Sequence, residues 1–551
     1  MFVRVKAKSN SPKKVVQIVA SVRRGSAVSQ KVIRHIGTAI DEEGLNQLKL
    51  LAEETKLKLS AGSQQLLWTP KELARLTKPK EPTDEEVYRV DVRDLIEEGR
   101  VVKGIGDVYG RLFDEMGYER VFKNPARQKA TLEAFKQIVL ARIANPLSKR
   151  ASVDMLEEDF GVSLPLERVY RMMDKLDTRA IEQLNAITYR NTVGLFGGKI
   201  DILFFDVTTI YFEAFGEDDF RRMGYSKDLK FNQPQVLLAL LVNKEGLPIG
   251  YETFAGDFYE GHTLMPTLER IRSRYEIDKV ICVADAGMLN EKNIKELEAG
   301  GFQYIVGARL KNMSQAVKEH MLDRHQYQKW GEQEIAQFDL TESKRLVVTY
   351  QEDRARKDAF DRQRAIERLK KKLQKSNNPK EYLSHYGCGK YLKLTNPGEI
   401  ELDEEKIQKQ SQWDGLHGVI TNAKELKPQE IVRQYVNLWH VEEAFRITKH
   451  DLKVRPVFHW TKERIQAHVA ICFTAYALVR HLQYRVRLQY QNLSIETIRQ
   501  HLIRVQTSIL YHLKKKIRFA LPSRISQEAK RIYQIMKVSH SLTPWLIRQK
   551  L

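Results

Sequence analysis

The chain has 551 residues, 42% hydrophobic and 30% charged, with 92 Lys and Arg against 71 Asp and Glu for a formal net charge of +21. That length and composition describe a globular protein of several domains with ample core. Three cysteines, Cys282, Cys388 and Cys472, lie too far apart for a disulfide framework or a zinc cluster, so a reducing cytoplasm is the expected setting.

The opening Met-Phe-Val-Arg-Val-Lys-Ala-Lys lacks the apolar core of a signal peptide. The longest apolar stretch, near Val469 to Val479, is too short to span a bilayer. A soluble, unexported protein with no membrane partner is expected. Its charge is uneven: residues 1–40 carry nine basic residues and no acidic one, residues 451–551 carry nineteen against four, and the middle is slightly acidic. Basic ends around such a centre suit a protein that grips a polyanion at its termini and holds divalent cations between them.

In chain order, residues 2–8 alternate Val3, Val5 and Ala7 with Arg4, Lys6 and Lys8. With strand-like Lys14 to Arg23 and Gln30 to Ile36 they predict a small antiparallel sheet with a basic face, turning at Arg24-Gly25-Ser26. A helix over about Glu42 to Leu57 completes an N-terminal β domain, 1–76. Residues 77–104 read as a linker, polar around Thr77 to Asp84. Three- and four-residue apolar spacing through Val108, Leu112, Met116, Leu132, Phe135, Ile138, Val139 and Ile143 predicts a helical domain over 105–197, with DNA binding as one possible role.

The texture changes at Lys199. Strands are expected at Asp201 to Phe212, Gln235 to Val242 and Pro248 to Ala255, with a tight turn at Lys244-Glu245-Gly246. A helix over Thr263 to Tyr275, a strand ending at Asp285, a helix over Glu291 to Ala299 and a strand at Phe302 to Gly307 follow. That order is the α/β order of a ribonuclease H-like catalytic core, its first part 198–309. A large mixed insertion, 310–412, holds strands at Lys344 to Tyr350 and Tyr391 to Leu394 and a charged helix, Asp353 to Lys375, with a narrow stripe of Ile366, Leu369 and Leu373. The core resumes over 413–480, and 481–551 is expected to be a basic helical C-terminal region.

Two acids stand out. Asp206 ends the apolar run Ile202-Leu203-Phe204-Phe205, and Asp285 ends Val280-Ile281-Cys282-Val283-Ala284, so each carboxylate caps a buried strand, a costly place for an uncompensated charge. Ala286 and Gly287 would leave room for a phosphate or a metal near the backbone. Glu442 lies in a helical stretch where steps of seven link Tyr435, Glu442 and Lys449 near one face, with Arg446 one turn on. Three converging carboxylates repel unless divalent ions neutralise them. Magnesium suits such oxygen ligands, with manganese as an alternative. Two ions about 3.5 to 4 Å apart would activate an attacking water or 3′-hydroxyl and steady the leaving oxygen of a phosphodiester.

Singly, each acid has an ordinary reading. Asp206 could be a strand end, Asp285 a turn residue, and Glu442 or Glu443 a helix-surface partner of Arg446 or Lys449. Trp439 and Phe445 are expected in the core. Lys514-Lys515-Lys516 reads either as a phosphate-binding patch or as a solvated tail.

The stretches DILFFDVTTIYFE (Asp201 to Glu213) and VICVADAGMLNEKNIKEL (Val280 to Leu297) resemble the first two acidic motifs of DDE-type bacterial insertion-sequence transposases. YVNLWHVEEAFRITKHDL (Tyr435 to Leu452) is similar to the Tyr-(2)-Arg-(3)-Glu-(6)-Lys signature of the insertion-sequence-four superfamily. DGLHGVITN (Asp414 to Asn422) and RPVFHWTKERIQAHVAICFTAYAL (Arg455 to Leu478) extend the likeness. It implies a ribonuclease H-like domain and metal ligands Asp206, Asp285 and Glu442. It also implies cleavage and strand transfer at the element's terminal inverted repeats by a homodimer or higher assembly on DNA, in a bacterial, nucleoid-associated setting. One position departs: the signature arginine falls on Leu438, with Arg433 and Arg446 as substitutes. A ribonuclease H-like nuclease without strand transfer and a catalytically silent DNA-binding relative remain open.

Overall fold

The computed structural model describes the chain except residues 8–12, 25–26, 61–87, 125, 199, 214–215, 225–231, 276–280, 286–290, 376–378, 384–386, 397–398 and 548–551. The polar linker around Thr77 to Asp84, the turn residues Gly25 and Ser26, and Ala286 and Gly287 lie outside the described residues. Two compact units, Met1–Leu95 and Ile96–Leu551, divide the chain.

In the first unit, β1 (Phe2–Ala7), β2 (Lys14–Arg24) and β3 (Ala27–Ala39) form an antiparallel sheet in that order. Its core is Val16, Ile18 and Ala39 closed by Leu45 and Ala52 of helix α1 (Glu42–Ser60). Asp41 starts that helix, its Oδ1 accepting from the Gly44 amide at 2.7 Å, which satisfies a donor the first turn leaves without a partner.

The second unit opens with a strand where a linker was expected. Residues Leu95–Val102 form β4, the edge of a four-stranded sheet ordered β18-β17-β16-β4. Its partners β16 (Gln506–His512), β17 (Ile517–Pro522) and β18 (Trp545–Ile547) come from the C-terminal region, which is therefore not wholly helical. The alternation of buried Thr507 and Ile509 with half-buried Gln506, Ser508 and Leu510 marks a strand, and pairing across some four hundred positions is invisible to local pattern.

The expected helical region consists of α2 (Gly104–Met116), α3 (Lys129–Ala144), α4 (Lys149–Phe160), α5 (Leu166–Met173) and α6 (Thr178–Gly194). Gly104 is fixed by close approach: a Cβ there would lie 2.2 Å from the Leu502 carbonyl oxygen. Because backbone cannot yield as a side chain does, Gly104→Ala is expected to destabilise the protein by about 3 kcal/mol, measured as a fall in denaturation midpoint. An unchanged midpoint would show that the contact relaxes freely.

The dominant element is a nine-stranded sheet ordered β10-β11-β12-β15-β9-β8-β5-β6-β7. Strands β5 (Ile202–Tyr211), β6 (Gln235–Asn243) and β7 (Pro248–Ala255) form an antiparallel meander. After α7 (Leu264–Tyr275), β8 (Ile281–Ala284) returns parallel to β5, and after α8 (Glu291–Ala299), β9 (Gln303–Gly307) runs parallel to β8. The two faces read out by alternation. Leu203, Phe205 and Val207 pack toward α7 and α8, while Ile202, Phe204 and Ile210 pack toward the helical layer on the other side. Phe204 and Phe205 are fully buried, each contributing roughly 2 to 3 kcal/mol relative to exposure.

The insertion is not separate from this sheet. After α9 (Gln315–Leu322), strands β10 (Gln328–Trp330), β11 (Gln333–Asp339) and β12 (Arg345–Gln351) extend it at the β15 side. Only α10 (Glu352–Lys375), β13 (Leu392–Asn396), β14 (Glu399–Leu402) and α11 (Glu404–Ser411) form a satellite, where Ile366, Leu369 and Leu373 meet Tyr391 and Leu392. Strand β15 (Leu416–Thr421) then pairs antiparallel with both β12 and β9.

Helices α12 (Pro428–Val436) and α13 (Trp439–Arg446) follow, then a π-helical turn Ile447–Asp451, and α14 (Lys462–Gln489), α15 (Ile495–Ile503) and α16 (Gln527–Ile535). Helix α14 is buried almost all round from Ile465 to Leu482, as a central helix must be. Among the described residues no helix is long and apolar enough to cross a membrane.

Burial leaves several histidines neutral. His481 on α14 is pushed down to about 3 by burial, with the Arg485 charge adding, and His459 and His440 are each pushed down to about 4. The unfolded chain takes up protons on these rings below about pH 6.5 while the folded chain does not. Stability is therefore expected to fall as pH drops from about 6.5 to 5, by up to about 1.4 kcal/mol per pH unit for His481. A denaturation midpoint flat across that window would contradict this.

Candidate active site

Strand β5 is buried along its length except at two positions, Asp206 and the terminal Tyr211. The interior break in that pattern falls on the carboxylate, so the sheet opens where the acid stands. The register of β5 against parallel β8 pairs Ile202 with Ile281 and Phe205 with Ala284, a constant offset of 79 positions. Asp206 and Asp285 have the same offset and follow the last pair directly. Two acids far apart in sequence are thus brought side by side by the sheet, on the side where Ile202, Phe204, Ile281 and Val283 pack. Asp206 Oδ1 accepts from the Val207 amide at 2.7 Å, and Asp285 is exposed at the strand end.

That side carries α12 over β8 and β9, and α13 over β5 and β6. Tyr435, near the end of α12, donates its hydroxyl to Asp285 Oδ1 at 3.4 Å. Burial pushes the Tyr435 phenol up, the Asp285 charge and hydrogen bond add to this, the Glu442 charge pushes the same way, and Arg354 opposes them. The phenol therefore stays protonated at neutral pH and lies within the field of both acids.

Glu442 is exposed and forms no ion pair among the described residues. Its neighbour Glu443 takes that part instead, receiving Arg480 Nη1 at 3.2 Å and lying 3.8 Å from Arg446 Nη2. The continuous helix expected from Tyr435 to Lys449 is corrected: it breaks at Asn437 and Leu438, and Lys449 sits half-buried in the π-helical turn.

Arg446 is drawn to Glu443 and, at 3.8 Å, to Asp451. Lys514, Lys515 and Lys516 are exposed in the turn between β16 and β17, on the smaller sheet, with Lys516 at φ 54°. Leu438 is buried with 7% exposure and packs in the core, while Arg433 lies over the Trp330 ring. Trp439, expected in the core, is 47% exposed and set against His440 with ring centroids 3.9 Å apart, whereas Phe445 is buried.

Two residues that sequence reasoning missed join the cluster. His417, paired with Thr349 across β12 and β15, stacks near Tyr435 with centroids 5.1 Å apart. Burial and the Arg354 charge push it down to about 4, against the pull of Asp285. Arg354 occupies the first turn of α10, is exposed and has its Nε 4.0 Å from Asp358 Oδ2. Its helix is tied to the start of β15, since Asp358 Oδ2 accepts from the Gly415 amide at 3.0 Å and Arg362 pairs with Asp414. The motif DGLHGVITN held the signal for His417; Arg354 had none.

Among the described residues no group of three or more His, Cys, Asp or Glu is close enough to hold a metal ion as placed. Asp206, Asp285 and Glu442 each offer carboxylate oxygens, the donor type a hard divalent cation takes.

Residues 197–478, more than half of the chain, match the family model of the transposase DDE domain. No curated protein matches the chain. Among solved structures it is similar to a piggyBac transposase synaptic complex with hairpin DNA seen by cryo-electron microscopy. The identity is 10% over 73% of this chain and 77% of that one, and a TM-score of 0.36 is too low to fix a shared fold.

Proposed function

Because the chain belongs to the transposase DDE-domain family, we propose that it is a DNA transposase of the insertion-sequence-four type, cutting the ends of its own element and joining them to target DNA. The register that sets Asp206 beside Asp285 carries this reading. The strand order β7-β6-β5-β8-β9, antiparallel at β6 and parallel from β5 to β9, supports a ribonuclease H-like core. A homodimer or larger assembly on DNA follows from the need to join two ends.

Asp206 and Asp285 would hold a divalent cation, magnesium or manganese, and Glu442 would complete the set from α13. Such ions supply charge stabilisation at the attacking and leaving oxygens of the phosphodiester. Tyr435, kept protonated, donates toward a phosphate oxygen and fixes Asp285. Arg354 supplies the cation that the buried Leu438 cannot, and neutral His417 keeps Tyr435 in place. Lys449 and Arg446 steady the flanking backbone, and Lys514, Lys515 and Lys516 add non-specific affinity.

The test is product analysis with purified protein, a duplex carrying an element end, target DNA and magnesium. Joined products are expected. Nicked or linear DNA alone would make it a nuclease without strand transfer, and uncut but bound DNA a silent relative.

A further inference from the structure

Away from the acidic cleft, a cavity of about 430 Å³ opens between the helical region and the segment following the π-helical turn. Arg142 of α3, Lys149 of α4 and His468 of α14 line it, with only 4%, 5% and 4% exposure. Exposed Arg150 and Lys453 and half-buried Arg455 also line it. Among the described lining residues there is no Asp or Glu.

The hydrogen bonds of the buried groups go to neutral partners. His468 Nε2 donates to the Val454 carbonyl at 3.0 Å, which leaves Nδ1 to accept from Lys149 Nζ at 3.0 Å. Arg142 Nη1 donates to the Lys453 carbonyl at 3.3 Å and reaches that of Leu452 at 3.5 Å. Buried cations without a counter-charge are costly. Burial, with the Arg142 charge adding, pushes Lys149 down to about 7. His459 beside them feels only the positive charges of Lys149, Arg464 and Arg142, and Arg464 is itself paired with Asp174.

Helix α4 begins at the cavity. Ser148 caps it by accepting from the Ala151 amide at 3.2 Å, and the first-turn amides favour an anion there. Arg455 also lies over the ring of Tyr211, the last residue of the strand that carries Asp206, with 4.3 Å to the centroid. The cavity is thus tied to the acid-bearing strand and, through Lys453, to the turn that carries Lys449.

We propose that this cavity binds a phosphate group, supplied by one backbone phosphate of the DNA held along the acidic cleft. The source rests on the transposase reading; the anion chemistry does not. A phosphate there gives Arg142 and Lys149 the counter-charge they lack, and Arg150 and Lys453 guide it inward.

The experiment measures binding of a fluorescent duplex to the full chain without divalent metal over a range of salt, for wild type, Lys149→Gln, Arg455→Ala and the exposed pair Arg150→Ala with Lys453→Ala. Inorganic phosphate is titrated in parallel by thermal shift. The expected result is about a tenfold loss of duplex affinity and a salt slope shallower by about 0.9 per lost phosphate contact. If Lys149→Gln does not fold, the exposed pair gives the same reading. Unchanged duplex binding with phosphate stabilising wild type but not the variants would keep the site and assign it to free phosphate. No change in either titration would overturn the proposal. Failure of strand cleavage by wild type leaves these outcomes readable, since none requires cleavage.

Discussion

Asp206→Asn, Asp285→Asn and Glu442→Gln are each expected to abolish strand cleavage while leaving duplex binding and the thermal midpoint near wild type. Each change keeps side-chain size and removes only the charge that would hold a divalent cation. Loss of several kcal/mol of charge stabilisation at the scissile phosphate corresponds to about a thousandfold or greater drop in rate. Binding is expected to survive because phosphate contacts by basic side chains, not carboxylates, carry affinity for a polyanion. A gel assay of nicking under single-turnover conditions measures the effect. Full nicking by any one variant would remove that residue from the site.

Arg354→Ala is expected to lower cleavage by about a hundredfold, the effect of removing one preorganised cation from a developing oxyanion. Arg354→Lys should recover part of the loss, as a point charge without the planar fork. The same substitution has a structural readout. The Arg354 charge helps hold His417 down to about 4, so its removal should move the His417 titration upward. Cleavage unchanged in Arg354→Ala would leave the site without a substitute for the arginine displaced by Leu438. An unmoved His417 titration would show that the guanidinium lies too far away to act there.

The parts legible from sequence were those with a short-range cause. Asp206 and Asp285 each end an apolar run, and an acid at the end of a buried strand is conspicuous whatever lies beside it. The meander, the two crossover helices and the narrow stripe of Ile366, Leu369 and Leu373 follow from periods of two and 3.6. The equal offset of 79 between strand register and acid spacing needed the sheet.

What was hidden had a long-range cause or an ambiguous one. Strand β4 finds its partner at the far end of the chain, so its residues read as linker and β16 as helix. The break at Asn437 and Leu438 has no Pro or Gly to announce it, so Tyr435, Glu442 and Lys449 looked like one face of one helix. Arg354 begins a helix crowded with charges, where nothing in the sequence separates a guanidinium whose charge reaches His417 and Tyr435 from one in solvent. Trp439 fits a core pattern yet lies open because its neighbour Val441 takes the buried position. Lys149 sits in an ordinary basic stretch, and only the packing of α3, α4 and α14 makes it a buried cation.

Electron paramagnetic titration of manganese into the protein bound to an element-end duplex tests the convergence of the three acids most directly. Wild type should bind manganese at the cleft, and Asp206→Asn, Asp285→Asn and Glu442→Gln should each weaken that binding by at least about tenfold, the effect of removing one charged ligand. Equal manganese binding by wild type and all three variants would contradict a shared cation site, even if every variant were inactive.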